Sequence, residues 1–268
     1  MTLYPWRNVL ITGAASGLGR ALAEACAAPG VTLHLADVQA EGLSETEGIC
    51  AALGARVATA PLNVCDAAAM AAWIGSARPL DLVIANAGVL GEIGAPYECP
   101  HQARRILETN VTGTINTVLP AIAVMAAQPP GPGGVRGRIA VISSILAFVA
   151  APMAPAYSAS KSALQAWAEA MDGNERARGI RIHAIAPGYI RTELSAANTM
   201  PMPLIMRPAR AARLTLEGIA AGKTRVSFPR RVHLGIRLVG ALPPDLRNAL
   251  ISRVQRWHLK RMREAGGG

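Results

Sequence analysis

An α/β fold with a doubly wound parallel sheet is what this sequence predicts, and three observations carry the prediction. Short apolar runs alternate with stretches of helical spacing along most of the chain. The first apolar run ends in a glycine turn that opens directly onto a strong helix former. Alanine and glycine abound while aromatics are few (Phe 2, Tyr 4, Trp 4), which suits close helix-on-sheet packing. At 51% hydrophobic and 16% charged, the 268 residues can bury a substantial core. No internal repeat or linker divides them, so residues 1–268 read as one domain.

Asn8-Val-Leu-Ile11 is the first strand, and Thr12-Gly-Ala-Ala-Ser-Gly-Leu-Gly19 follows at once. Strand, turn and helix form the start of a Rossmann-type dinucleotide site. Gly13, Ser16, Gly17, Leu18 and Gly19 would bring backbone amides at a helix N-terminus close to a pyrophosphate. An ordinary tight turn is the plainer reading, but the position and the flanking pattern favour the nucleotide. Val31–Ala36 is a second strand with Asp37 at its end. A carboxylate there accepts from both ribose hydroxyls and repels a 2′-phosphate, and Val38 offers no counter-charge. NAD is therefore expected over NADP.

A third strand covers 55–64, including Asn63 and Val64, and Asp66 caps a helix over Ala67–Ile74. Leu80–Ala85 is a fourth strand. It ends in Asn86-Ala87-Gly88, small residues that let an adenine or ribose lie against the backbone. One long helix is expected over 100–127, with Asn110 in its middle and Pro120 kinking it. Arg138–Ser144 is a buried strand, and Arg181–Ala186 is another, closed by Pro187-Gly188.

The charge-free run Ile139–Ser160 has the length of a membrane span, yet Ser143, Ser144, Pro152 and Pro155 interrupt it. A strand, a loop and a helix explain it better. No secretory leader is read at the start, and the expectation is a soluble, cytoplasmic body. Cys26, Cys50, Cys65 and Cys99 have no metal-site spacing and read as reduced thiols, so no metal is expected. The formal charge of +10 is uneven. Residues 1–206 hold 13 Arg/Lys against 14 Asp/Glu, whereas residues 207–268 hold 14 against 3.

Tyr157 and Lys161 stand four apart, so on a helix they share a face. A nearby ammonium favours the phenolate and would pull a phenol from about 10 toward the working range. An exposed helical pair is the bland alternative. Ser143-Ser144 at the preceding strand end can place a hydroxyl beside that phenol.

Taken together, Thr12-Gly13-x-x-x-Gly17-x-Gly19, Asn86-Ala87-Gly88, Asn110, Ser144, Tyr157-x-x-x-Lys161 and Pro187-Gly188 resemble the short-chain dehydrogenase/reductase family. The resemblance covers about residues 7–195. It implies a seven-stranded sheet, with Tyr157 as general acid/base and Ser144 bonded to the substrate oxygen. Lys161 would lower the Tyr157 pKa and hold the nicotinamide ribose, and Asn110 would anchor a water in a proton relay. Ile190 and Thr192 would lie near the nicotinamide. Two departures stand out. Asn63 replaces the usual Asp beside adenine, and its carbonyl can still accept the amino hydrogen. The C-terminal region lacks the Asp-Gly-Gly ending common in many relatives, which puts their usual tetramer in doubt, and a homodimer is the expected partner state.

Residues 194–210 would then cover the substrate. Met200, Met202, Leu204, Ile205 and Met206 suit an adaptable apolar lid for a hydrophobic alcohol or ketone, with packing on the core as the alternative. The extension 230–263 ends in a basic helix. Leu246, Leu250, Val254 and Trp257 form its stripe, surrounded by arginines and Lys260. Packing or dimerisation is the default, and contact with an anionic membrane surface is the sharper alternative. Nucleic acid is not expected, because no motif accompanies the charge. The reading is an NAD-dependent oxidoreductase for a hydrophobic secondary alcohol or ketone. An NADP-dependent carbonyl reductase and a non-catalytic dinucleotide sensor are the alternatives.

Overall fold

Alternation along the first strand sets the architecture. Val9 and Ile11 point to one side of the sheet and Leu10 to the other, and each side is covered by its own apolar cluster. The structure is a computed structural model. It describes residues 4–91, 98–192, 202 and 204–265, with 255–265 as helix backbone alone. Its strands are β1 (Asn8–Thr12), β2 (Thr32–Asp37), β3 (Arg56–Pro61), β4 (Leu82–Ala85), β5 (Gly137–Ile142), β6 (Ile180–Pro187) and β7 (Arg225–Phe228). All pair in parallel, in the order β3-β2-β1-β4-β5-β6-β7. The order reverses between β1 and β4, where a crevice opens at the strands' carboxyl ends.

Helices α1 (Gly17–Cys26), α2 (Ala40–Ala52) and α7 (Pro208–Ala220) cover one face. On the other lie α3 (Ala67–Ser76), α5 (Gly113–Ala126) and α6 (Pro155–Glu175). Helix α4 (Pro100–Leu107) precedes α5, and α8 (Arg230–Gly240) and α9 (Pro244–Ala265) end the chain.

The seven-stranded parallel sheet is as expected, but several details differ. The third strand stops at Pro61, because Asn63 Oδ1 accepts from Cys65 N (3.0 Å) and turns the chain. Asp66 then caps α3 by accepting from Ala69 N (3.0 Å), as read. The single helix expected over 100–127 is two helices joined by a π-turn at Glu108–Thr112. Pro120 lies inside α5 and does not mark this break. The apolar run after Arg231 is helix α8, with no residue fully buried. The charge-free run resolves into β5, a 3-10 turn (Ile145–Phe148) and the start of α6. Among the described residues, no helix is long and apolar enough to cross a membrane.

Candidate active site

The strand ends at the β1/β4 reversal build the first half of the site. Gly13 sits at φ +68°, and a Cβ there would come within 2.8 Å of Ala87 Cα. Only glycine allows the two loops this approach. Asn86 Nδ2 donates to Thr12 O (3.1 Å) and Gly13 O (3.0 Å), while Thr12 Oγ1 accepts from the amides of Asn86 and Ala87. Asn86 is thus a strut that fixes the glycine turn against the end of β4. Ser16 precedes α1 without capping it, which leaves its first-turn amides without a side-chain acceptor from that residue. A Cβ on Gly17 would lie 3.0 Å from Thr192 Cγ2, so Thr192 sits over the same turn.

Asp37 is held at the end of β2 by accepting from Ala15 N on Oδ2 and Gln39 N on Oδ1 (both 3.0 Å). Each oxygen keeps a lone pair. Val38 beside it is 65% exposed and uncharged. Asn63 is exposed, and its carbonyl already accepts from Cys65 N. Val64 is buried against Gly113, where a Cβ would meet it at 2.4 Å.

The second half is carried by α6. Pro155 at its first position and Pro152 in the approach start the helix, and Tyr157 and Lys161 share its inward face. Glu98 Oε1 accepts from Ala156 N (2.9 Å), tying the helix start. Ser143 Oγ donates to Lys161 O (2.8 Å), and Ser162 Oγ donates to Ala147 O (2.8 Å). These bonds lock the end of β5, with Ser144, onto α6. Ser144 Oγ accepts from Leu146 N (3.1 Å), so its proton remains free to be donated.

Lys161 is buried and Nζ donates to Ile142 O (2.9 Å). Among the described residues it makes no salt bridge. Burial brings its ammonium down to about 8. Burial pushes the half-buried Tyr157 phenol up, the Ser144 hydroxyl pulls it back, and the Tyr189 phenol adds to the rise. The downward shift of Tyr157 expected from Lys161 is not what the geometry gives. Nζ lies 5.7 Å from the ring centroid and is directed to Ile142 O.

Asn110 is fully buried at the π-turn. Its Oδ1 accepts from Val89 N (2.7 Å), and its Nδ2 donates to Val89 O and Ser160 Oγ (both 3.0 Å). Ser160 Oγ donates in turn to Tyr157 O (2.8 Å). A π-turn widens the helix and is often found where function needs it. Here it joins the loop after β4 to the Tyr157 turn of α6.

Beyond β6, Gly188 N donates to Phe228 O (2.7 Å), and Ile190 bridges Met206. Met206 is buried in the core, so this end of the 194–210 segment packs rather than covers; Leu204 is 59% exposed. Met200 lies outside the described residues, as does Trp257's side chain. Sequence reasoning missed Ser160, Tyr189 and Glu98. Ser160 was within reach, three residues after Tyr157 on the same helix face.

The residues fit a dinucleotide. A glycine cradle admits close backbone approach, Asp37 presents a carboxylate, and the buried Lys161 has no anionic protein partner among the described residues. Nor do the described residues gather three or more His, Cys, Asp or Glu into a metal-binding group.

Residues 7–202 match the family model described as short chain dehydrogenase. An uncharacterized oxidoreductase of Myxococcus xanthus is 35% identical over 259 residues, covering 95% of this chain and all of that protein. The 3-hydroxyacyl-CoA dehydrogenase type-2 of Drosophila melanogaster is 32% identical over 198 residues, 70% of this chain and 76% of that one. Among solved structures, a 3-oxoacyl-[acyl-carrier protein] reductase with bound NAD from Brucella melitensis has a TM-score of 0.71 at 28% identity. That alignment covers 85% of this chain and 90% of the other.

Proposed function

We propose that this chain, which belongs to the short chain dehydrogenase family and is an oxidoreductase, interconverts a hydrophobic secondary alcohol and its ketone with NAD(H) as cofactor. The observation that carries the reading is the α6 constellation. Ser143 and Ser144 at the end of β5 reach Lys161 O and the Tyr157 phenol, Lys161 is buried, and the Asn110–Ser160 link ends on Tyr157 O.

When bound, the nicotinamide supplies or accepts the hydride at the substrate carbon. The protein's part is protonic and positional. Tyr157 Oη exchanges a proton with the substrate oxygen, and Ser144 Oγ donates a hydrogen bond that orients that oxygen. Lys161 serves as a buried cation beside the phenol and the nicotinamide ribose. Its free-chain value near 8 leaves it able to hold or release a proton at working pH. Asn110 fixes the backbone from which a relay to solvent can run.

Asp37, Gly13, Ser16, Gly17, Leu18, Gly19, Asn86, Ala87 and Gly88 would seat the adenosine and pyrophosphate. Asn63 and Val64 would flank adenine, and Pro187, Gly188, Ile190 and Thr192 the nicotinamide. The carboxylate of Asp37 with exposed, uncharged Val38 supports NAD(H) over NADP(H).

A screen of hydrophobic secondary alcohols and ketones, followed by nicotinamide absorbance with each cofactor, tests both parts. We expect turnover with NAD(H) at a kcat/KM at least about ten-fold above that with NADP(H), and a reversed order in the double variant Asp37→Ala, Val38→Arg. Equal kcat/KM for the two cofactors would contradict the Asp37 reading. No turnover of any such compound would contradict the substrate class.

A further inference from the structure

The last two helices turn apolar side chains to the outside. On α8, Leu234 and Leu238 stand four apart and are 60% and 64% exposed. On α9, Leu246, Leu250 and Val254 repeat every four residues and are 56%, 40% and 49% exposed. A run of exposed leucines along two successive helices is uncommon for a surface that faces only water. Arg230, Arg231 and Arg253 are exposed on the same two helices, with Asp245 the acid of the α9 first turn. The sequence continues the pattern through Arg256, Lys260, Arg261 and Arg263.

Charge decides the occupant. Two copies meeting through this surface would bring their guanidinium groups together in a place shielded from water, which is unfavourable. Residues 1–206 are close to neutral overall, with 13 Arg/Lys against 14 Asp/Glu, so the excess of positive charge lies in this end of the chain. An anionic bilayer complements both features at once. Leucines enter the acyl boundary while guanidinium groups meet the headgroup phosphates. We propose that α8 and α9 form a peripheral docking face for an anionic lipid bilayer.

The face is rigidly joined to the site segment. A Cβ on Gly240 would meet Phe148 O at 1.9 Å, and His233 packs edge-on against Phe148 with ring centroids 4.6 Å apart. Arg225 and Arg237 lie over the same ring, 5.4 and 6.0 Å from its centroid. Phe148 ends the 3-10 turn that starts after Ser144. Docking would therefore bring the candidate site to the lipid surface, although the docking itself does not depend on the oxidoreductase chemistry.

The test is co-sedimentation of the full chain with vesicles of phosphatidylcholine alone or mixed with phosphatidylglycerol, at low and high salt. The expected result is pelleting with the anionic vesicles only, weakened by salt. Arg231→Glu with Arg253→Glu, and separately Leu246→Ser with Leu250→Ser, should each lower partitioning by about ten-fold or more while circular dichroism stays unchanged. Three results would overturn the proposal. The protein could stay in the supernatant with anionic vesicles at low salt, or both double variants could pellet like the parent. Light scattering could instead show a dimer that the leucine substitutions dissociate, in a protein that binds no vesicles.

Discussion

Helices α6 and α9 are nearly equal in length, 21 and 22 residues, and depart from the usual inside-outside rule in opposite senses. Helix α6 buries Ser158, Ser160, Lys161, Gln165, Asp172 and Glu175, whereas α9 exposes Leu246, Leu250 and Val254. Buried polar groups and exposed apolar ones are the informative deviations in a folded chain. On α6 the buried groups are tied into the fold by partners. Asp172 accepts from Arg181 Nε (3.0 Å), Ile182 N (2.9 Å) and Thr224 Oγ1 (2.7 Å), and joins α6 to β6. Lys161 differs, because a single backbone carbonyl meets its charge. The polar interior of α6 thus divides into a structural end at Asp172 and a chemical end at Lys161. Near the start of α9, Arg247 Nη1 approaches Gly240 O at the end of α8 (3.5 Å).

The largest effect should come from the chemical end. Lys161→Met keeps the length of the side chain and removes the buried charge. Turnover should fall by about 10²–10⁴-fold, while urea unfolding should show stability unchanged or higher by about 1 kcal/mol. A variant that lost stability but kept its turnover would make Lys161 a structural residue like Asp172.

Next comes the structural end. Asp172→Asn breaks ion pairs on a buried carboxylate and should cost about 3 kcal/mol. Against the upward push of burial, bonds from Arg181, Ile182 N, Thr224 and Arg176 hold the Asp172 carboxyl far below the usual range. Its contribution is therefore present above the unfolded value of about 4 and is lost as pH falls below it. Burial also brings His183 down to about 4, with Nδ1 2.6 Å from Lys223 O. The fold needs this ring neutral, so its contribution is lost as pH drops from about 6.5 toward 4. Both groups weaken the fold in acid, and Asp172→Asn should flatten the lowest part of that loss. A pH series of thermal midpoints for the two proteins checks the sign. An unchanged acid slope would remove Asp172 from this role.

Smallest of all should be the stability change at α9. Leu246→Ser with Leu250→Ser should move unfolding free energy by no more than about 0.5 kcal/mol, because both side chains are exposed. A cost of several kcal/mol would mean that the stripe packs in the folded protein, and the contrast with α6 would fail.

What could be read from the sequence was local. The glycine turn between β1 and α1, Asp37 at the end of β2 and the spacing of Tyr157 and Lys161 each follow from a few neighbouring residues. The sheet class followed from alternation. What escaped depends on groups far apart in the chain. Nothing near Asn110 in the chain marks its partners Val89 and Ser160, which lie 21 and 50 residues away. The π-turn arises where that buried amide must be reached from two sides. β7 is only four residues long and lies at the sheet edge, too short for periodicity to mark. The upward direction of the Tyr157 shift comes first from burial of the phenol, which only the packed fold decides.

One paired measurement tests the assignment of the proton transfer to Tyr157 most directly. Turnover of the best alcohol found in the screen should be compared between the parent and Tyr157→Phe, with NADH binding titrated by fluorescence in both. Removing only the phenolic oxygen should lower kcat by about 10²–10⁴-fold, with the NADH dissociation constant changed by less than about three-fold. A Tyr157→Phe variant that turns over within a few-fold of the parent would contradict the assignment of the proton transfer to this residue.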